Sequence, residues 1–170
     1  MRQALSWRST RRWALAGALL AASAFGSPGL AETMLFKADL SGASQVPPSP
    51  TNGTGTVAAT YDSTTKKLSW NGSYSGLTGP PTAAHIHGPA AAGANARLVF
   101  WISDNVNQCS QGECRSNNDT KTHPLTSPFQ GSAILTDAQA ADLMAGFCYV
   151  NIHTDSHPRG EIRGQLVKSP

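Results

Sequence analysis

The stretches Ala83-Ala-His-Ile-His-Gly88, Tyr149-Val-Asn-Ile-His-Thr154 and Gly160-Glu-Ile-Arg-Gly-Gln165 decide the reading of this chain. Each alternates polar with apolar residues over a strand's length, and successive side chains of a strand stand on opposite faces. His85 and His87 therefore share a face, with Ile86 opposite. Tyr149, Asn151 and His153 share one, with Cys148, Val150 and Ile152 opposite. Glu161, Arg163 and Gln165 share the third, with Ile162 opposite. The apolar members make one core face, and adjacent strands would gather three histidines, Asn151, Glu161 and Arg163 on the other.

The rest of the chain extends the same pattern. Short alternating segments are predicted as strands over Met34–Leu40, Gly55–Tyr61, Lys67–Ser75, Thr82–His87, Leu98–Ser103, Gln130–Leu135, Phe147–His153 and Glu161–Val167. Turn clusters fall between them, among them Pro47-Pro-Ser-Pro50, Gly79-Pro-Pro81 and His157-Pro-Arg-Gly160. Thr136-Asp-Ala-Gln-Ala-Ala-Asp-Leu-Met-Ala-Gly146 differs: it has an N-cap residue, strong helix formers and a terminal glycine, and predicts one short helix before the penultimate strand. Residues 104–128 are polar and without period, a length unusual for a plain loop. The expected fold is all-β, an antiparallel Greek-key sandwich of immunoglobulin or superoxide-dismutase type.

A His-x-His pair on a strand can hold one metal ion, and a third histidine from a neighbouring strand completes a nitrogen site suited to copper or zinc. His85, His87 and His153 are the candidate ligands, with His157 a weaker one. Asn151, Asp155 and Glu161 are candidates for hydrogen bonds to those ligands, and Arg163 for attracting an anion. The competing reading is a polar sheet face, with histidines bonded to Asn151 or Glu161 and Glu161 paired with Arg163. His123 reads as plain surface. No nucleophile elbow or phosphate-cradling glycine loop is present.

The N-terminus reads as a secretion signal over residues 1–31. Four arginines and no acid precede an apolar run from Trp13 to Phe25, and Gly29 and Ala31 suit a peptidase cleaving after Ala31. That run is too short for the roughly 20 residues that span a bilayer. Thr10-Arg-Arg-Trp-Ala-Leu15 also resembles a twin-arginine signal, with Ala14 where that motif prefers Phe. The remaining 139 residues are expected to form one domain, exported to the periplasm or beyond. Of 13 Lys/Arg and 10 Asp/Glu, residues 1–31 take four bases and no acid, leaving a formal net charge of −1. Nothing there favours nucleic acid. Export permits disulfides; Cys109 and Cys114 are spaced to clip a tight loop, leaving Cys148 as the free thiol, although its pairing with either of them stays open. Asn52, Asn71 and Asn118 open glycosylation sequons, which arise easily in so polar a chain.

Leu40-Ser-Gly-Ala-Ser-Gln-Val-Pro-Pro48, Gly76-Leu-Thr-Gly-Pro-Pro-Thr-Ala-Ala-His-Ile-His87, Leu143-Met-Ala-Gly-Phe-Cys-Tyr-Val-Asn-Ile-His-Thr154 and His157-Pro-Arg-Gly-Glu-Ile-Arg-Gly164 together resemble a chordin-type (CHRD) domain over about Phe36 to Val167. The resemblance implies an extracytoplasmic β-sandwich with no established catalytic activity. A looser similarity is to Cu/Zn superoxide dismutase, in which His85, His87, His153 and Arg163 would be the matching residues. Three functions follow: a non-enzymatic module binding a protein or small ligand, a copper or zinc protein with superoxide-dismutase-like activity, or a structural or adhesive envelope component.

Overall fold

A computed structural model of the chain describes residues 32–102 and 125–170. The signal reading of 1–31, Cys109, Cys114, Asn118 and His123 lie outside the described residues. The described chain runs β1 (Thr33–Ser41), β2 (Thr54–Asp62), β3 (Lys67–Ser75), β4 (Pro81–His87), β5 (Leu98–Trp101), β6 (Phe129–Ile134), α1 (Asp137–Met144), β7 (Tyr149–Thr154), β8 (His157–Gln165) and β9 (Val167–Lys168). The fold is all-β with one short helix, as expected. All pairings are antiparallel.

The strands lie on one hydrogen-bonded path, β5-β4-β7-β8-β1-β2-β3-β6, with β9 beside β1. Its halves meet where β1 runs along β8 and β9, through Ser41–Arg163, Lys37–Val167 and Phe36–Lys168 on one register. Gly164 sits at this seam, where a Cβ would run into the Asp39 carbonyl. The sheet curls into a half-barrel. Trp70 of β3 stacks on Phe100 of β5 with ring centroids 5.5 Å apart, although six strand steps of about 4.8 Å each separate them along the sheet. This pairing pattern does not by itself define two sheets or a Greek key.

The two halves bury their faces differently. In β1, Met34, Phe36, Ala38 and Leu40 point inward and their neighbours outward; β2 continues with Val57, Ala59 and Tyr61, and β3 with Leu68 and Trp70. In β4, β7 and β8 the inward row is Ala84, Ile86, Val150, Ile152 and Ile162, each at most 1 % exposed. Full burial of each of the large aliphatic side chains in this row contributes about 1.5–3 kcal/mol. The opposite face of this half is also covered, so Asn151, Glu161 and Arg163 are buried rather than solvated.

Helix α1 begins as expected. Thr136 Oγ1 accepts from the Gln139 amide and Gln139 Oε1 from the Thr136 amide, a reciprocal capping box. Gly146 follows at φ +73°. Three strands, not two, follow the helix, because Leu166 interrupts the last one into β8 and β9. His157-Pro-Arg-Gly160, expected as a turn, belongs to β8. The turn is only Asp155-Ser156, and the pairing of β7 with β8 slips between Ile152 and Thr154, where an irregularity tolerates a proline. Among the described residues, no helix is long and apolar enough to cross a membrane.

Candidate metal centre

The register of β4 against β7 assembles the centre. His85 lies opposite Asn151, His87 opposite Tyr149 and Ala83 opposite His153. The three histidines stand on one face, half-buried, and each offers a ring nitrogen within 4.8 Å of the others. His85 Nδ1 and His153 Nε2 are 3.1 Å apart. Two nitrogens bound to one ion at about 2.0–2.1 Å stand roughly 3 Å apart, so this pair already has the spacing of adjacent ligands.

Backbone carbonyls orient two of the rings. His87 Nδ1 lies 3.2 Å from the Ala96 carbonyl and His153 Nδ1 lies 3.1 Å from the Pro158 carbonyl. A carbonyl only accepts, so each Nδ1 carries the proton and each Nε2 presents a lone pair. A carbonyl bond of this kind commonly fixes the tautomer of a ligating imidazole. His87 Nε2 is buried and makes no hydrogen bond. Burial, partly offset by the Ala96 carbonyl, pushes the His87 pKa down to about 4. Burial likewise lowers that of His153. Both rings are therefore neutral at ordinary pH, the state that metal ligation needs.

Aromatic groups wall the site. Trp101 meets His85 edge-on at 4.1 Å between centroids, and Tyr149 stacks on His87 at 5.0 Å and 7°. On the β8 side of Tyr149 lies Arg163, its guanidinium carbon 3.6 Å from the ring centroid. Residues 88–97 cross this face. Arg163 Nη2 donates to the Ala94 carbonyl at 2.9 Å, Gln165 Nε2 to the Ala90 carbonyl at 2.8 Å, and the Ala96 amide to the Tyr149 hydroxyl at 3.1 Å.

The remaining sequence candidates go elsewhere. Asn151 Oδ1 accepts from Gln45 at 2.8 Å and does not bond a histidine; Gly160, at φ +118°, leaves the room this pair needs. Glu161, expected beside an imidazole or Arg163, instead accepts from the Thr51, Thr78 and Thr154 hydroxyls at 2.7, 2.7 and 2.6 Å and from the Thr78 amide at 2.8 Å. Burial favours its neutral form, but these four donors outweigh burial and hold its pKa at about 2. His157 Nδ1 joins the same knot, 3.4 Å from Glu161 and 3.2 Å from Thr78, away from the other three histidines. Asp155 is exposed in the β7–β8 hairpin. Arg163 is 2 % exposed, which explains why it does not offer an open guanidinium to solvent. Cys148 is a buried free thiol on the core face.

Gln45 and the 88–97 segment are the parts of this neighbourhood that the sequence does not show, and of Gln165 it shows the face but not the contacts. Tyr149 was placed on the correct face by alternation, and only its stacking was hidden. The 88–97 segment has no period, so nothing in its composition showed what it covers.

An all-β half-barrel with a half-buried histidine triad on its covered face is the class of protein this geometry defines. The CHRD domain family model matches residues 36–166, and the chain belongs to that family. No curated protein matches it, and no solved structure does.

Proposed function

We propose that the chain is an exported, non-enzymatic binding module that holds one transition-metal ion, copper or zinc, on His85, His87 and His153. Membership of the CHRD family supports a binding module. The observation that carries the metal reading is the convergence of three ring nitrogens within 4.8 Å, two of the rings being held by backbone carbonyls. Three imidazoles suit copper and zinc, and copper(II) heads the affinity order of the first-row divalent ions. The protein is read as exported after cleavage behind Ala31, to the periplasm or beyond. β1 begins at Thr33, so cleavage there leaves every described strand intact. A Cys109–Cys114 disulfide accords with that compartment.

The superoxide-dismutase-like reading draws less support. Arg163 would have to meet a small anion, and it is enclosed between Tyr149 and the Ala94 carbonyl. The test is metal analysis of protein purified from its native compartment, with titration by zinc(II) and copper(II). One equivalent is expected, with uptake abolished by His85→Ala with His87→Ala while far-UV dichroism is retained. Less than about a tenth of an equivalent as isolated, and no uptake on titration, would sink the metal reading. Intact mass starting at Glu32 checks the cleavage.

A further inference from the structure

We infer that Tyr149, Arg163 and Gln165 are positioning residues for the metal centre, acting through the strap formed by residues 88–97; this rests on the metal reading above. The strap, Gly88-Pro-Ala-Ala-Ala-Gly-Ala-Asn-Ala-Arg97, carries almost no apolar bulk, and Ala91 to Asn95 are exposed. Hydrophobic burial therefore does little to hold it. Polar side chains and its own ends do so instead: Arg163 and Gln165 grip the Ala94 and Ala90 carbonyls, Tyr149 takes the Ala96 amide, and Asn95 reaches the Val46 carbonyl at 2.9 Å. The Gly88 amide closes the base on the Arg97 carbonyl at 3.1 Å.

The consequence falls on His87. Residue 96 is clamped through its amide by Tyr149, and its carbonyl is the acceptor that faces His87 Nδ1. The clamp thus sets the tautomer and angle of His87, while Tyr149 stacks flat against the same ring. Arg163 backs Tyr149 from the β8 side, and Gln165 Oε1 lies 3.3 Å from Arg163 Nη2. Strap, clamp and ligand form one hydrogen-bonded unit, so an ion that fixes His87 must also tighten the strap, and a loosened strap must weaken the ion's hold.

Two variants test this without touching a ligand. Tyr149→Phe keeps the stack and removes the hydroxyl; Gln165→Ala releases the Ala90 carbonyl and, outside the strap, that of Gly146. Zinc(II) affinity is measured against a chelator, with amide exchange of residues 90–97 with and without zinc, and thermal unfolding of the metal-free proteins. Each variant should lose about tenfold in affinity, a usual cost for a group that orients a ligand, and should shift the copper(II) absorption band. Exchange in the wild-type strap should slow on zinc addition, and less so in the variants. Wild-type affinity in both variants, with strap exchange indifferent to zinc, overturns the positioning role and leaves the metal site standing. A wild-type protein that takes up neither metal overturns the metal reading and this inference together.

Discussion

His85 Nδ1 and His153 Nε2 face each other at 3.1 Å across two neighbouring strands, although 68 residues separate them in the chain. In the metal-free protein, the Pro158 carbonyl keeps the proton of His153 on Nδ1, so His85 Nδ1–H donates to the lone pair of His153 Nε2. Protonation of the cluster would break that arrangement. Burial holds His87 at about 4 and lowers His153, against an ordinary value of 6.5. Between 6.5 and about 4 the unfolded chain binds protons that the folded one does not. The stability His87 contributes is therefore complete above 6.5 and is lost as pH falls towards about 4, and His153 acts in the same direction. Urea midpoints of the metal-free protein should fall across this window, and the fall should flatten in His87→Gln. Metal uptake should weaken as pH falls towards about 4, where His87 takes up its proton. A midpoint that rises on acidification would contradict this account.

Glu161 is a structural anion. Its carboxylate ties the Thr51 and Thr78 loops to Thr154 of β7. Glu161→Gln puts a donor where the four surrounding groups all donate, and should cost about 2–3 kcal/mol, the scale of hydrogen bonds to a charged group. Zinc affinity should be unchanged, since Glu161 touches none of the three proposed ligands. The folded pKa of about 2 lies below the ordinary 4.5, so the stability it contributes is present above 4.5 and lost as pH falls towards 2; Glu161→Gln should flatten that limb alone. A large loss of metal affinity in this variant would return Glu161 to the metal centre.

Gly160 holds a sterically demanding position within β8. Its φ is +118°, and a Cβ would meet the Asn151 side-chain carbonyl and the Gln45 amide. Gly160→Ala should combine backbone strain with loss of the Gln45–Asn151 bond and destabilise by about 3 kcal/mol. Gly93, also at positive φ but with nothing within 4 Å of a Cβ, is the control: Gly93→Ala should cost only the strain, about 1–2 kcal/mol. Equal chemical-denaturation midpoints for the two variants would remove the steric argument.

Cys148 is 4 % exposed, and burial, then the nearby Asp142 charge, pushes its thiol up to about 12. The thiolate is the reactive form, so the native protein should leave Cys148 untouched by a thiol reagent at pH 8 and yield it on unfolding. Prompt reaction of Cys148 in the native state would show that the core face opens there.

Much of this centre was legible because strand alternation is a local rule. Ile86, Val150, Ile152 and Ile162 had to share a face, and that alone put His85, His87 and His153 together on the other. The fates of Glu161 and Arg163 were not legible, because their partners come from loops at sequence distances no period encodes. Glu161 finds Thr51 and Thr78; Arg163 finds Ala94 and, diagonally across β7, Tyr149. The same limit explains the misplaced turn. Pro158 and Gly160 look like turn residues, yet the hairpin closes on Asp155-Ser156 and both are absorbed into an irregular strand.

Trp101 supplies an optical report on the site. Of four tryptophans, Trp7 and Trp13 lie in residues 1–31, and Trp70 is buried against Phe100 on the core face. Trp101 stands edge-on to His85 with centroids 4.1 Å apart, on the face that carries the histidines. A paramagnetic copper(II) ion on His85 would quench an indole at such contact far more than one in the core. Copper(II) should therefore lower the emission of the processed protein in a saturable, one-to-one titration, and zinc(II), closed-shell, should lower it much less. Trp101→Phe should remove most of the copper response while the protein still takes up one equivalent. Quenching that persists unchanged in Trp101→Phe would place the ion away from His85 and point to another binding site on the chain.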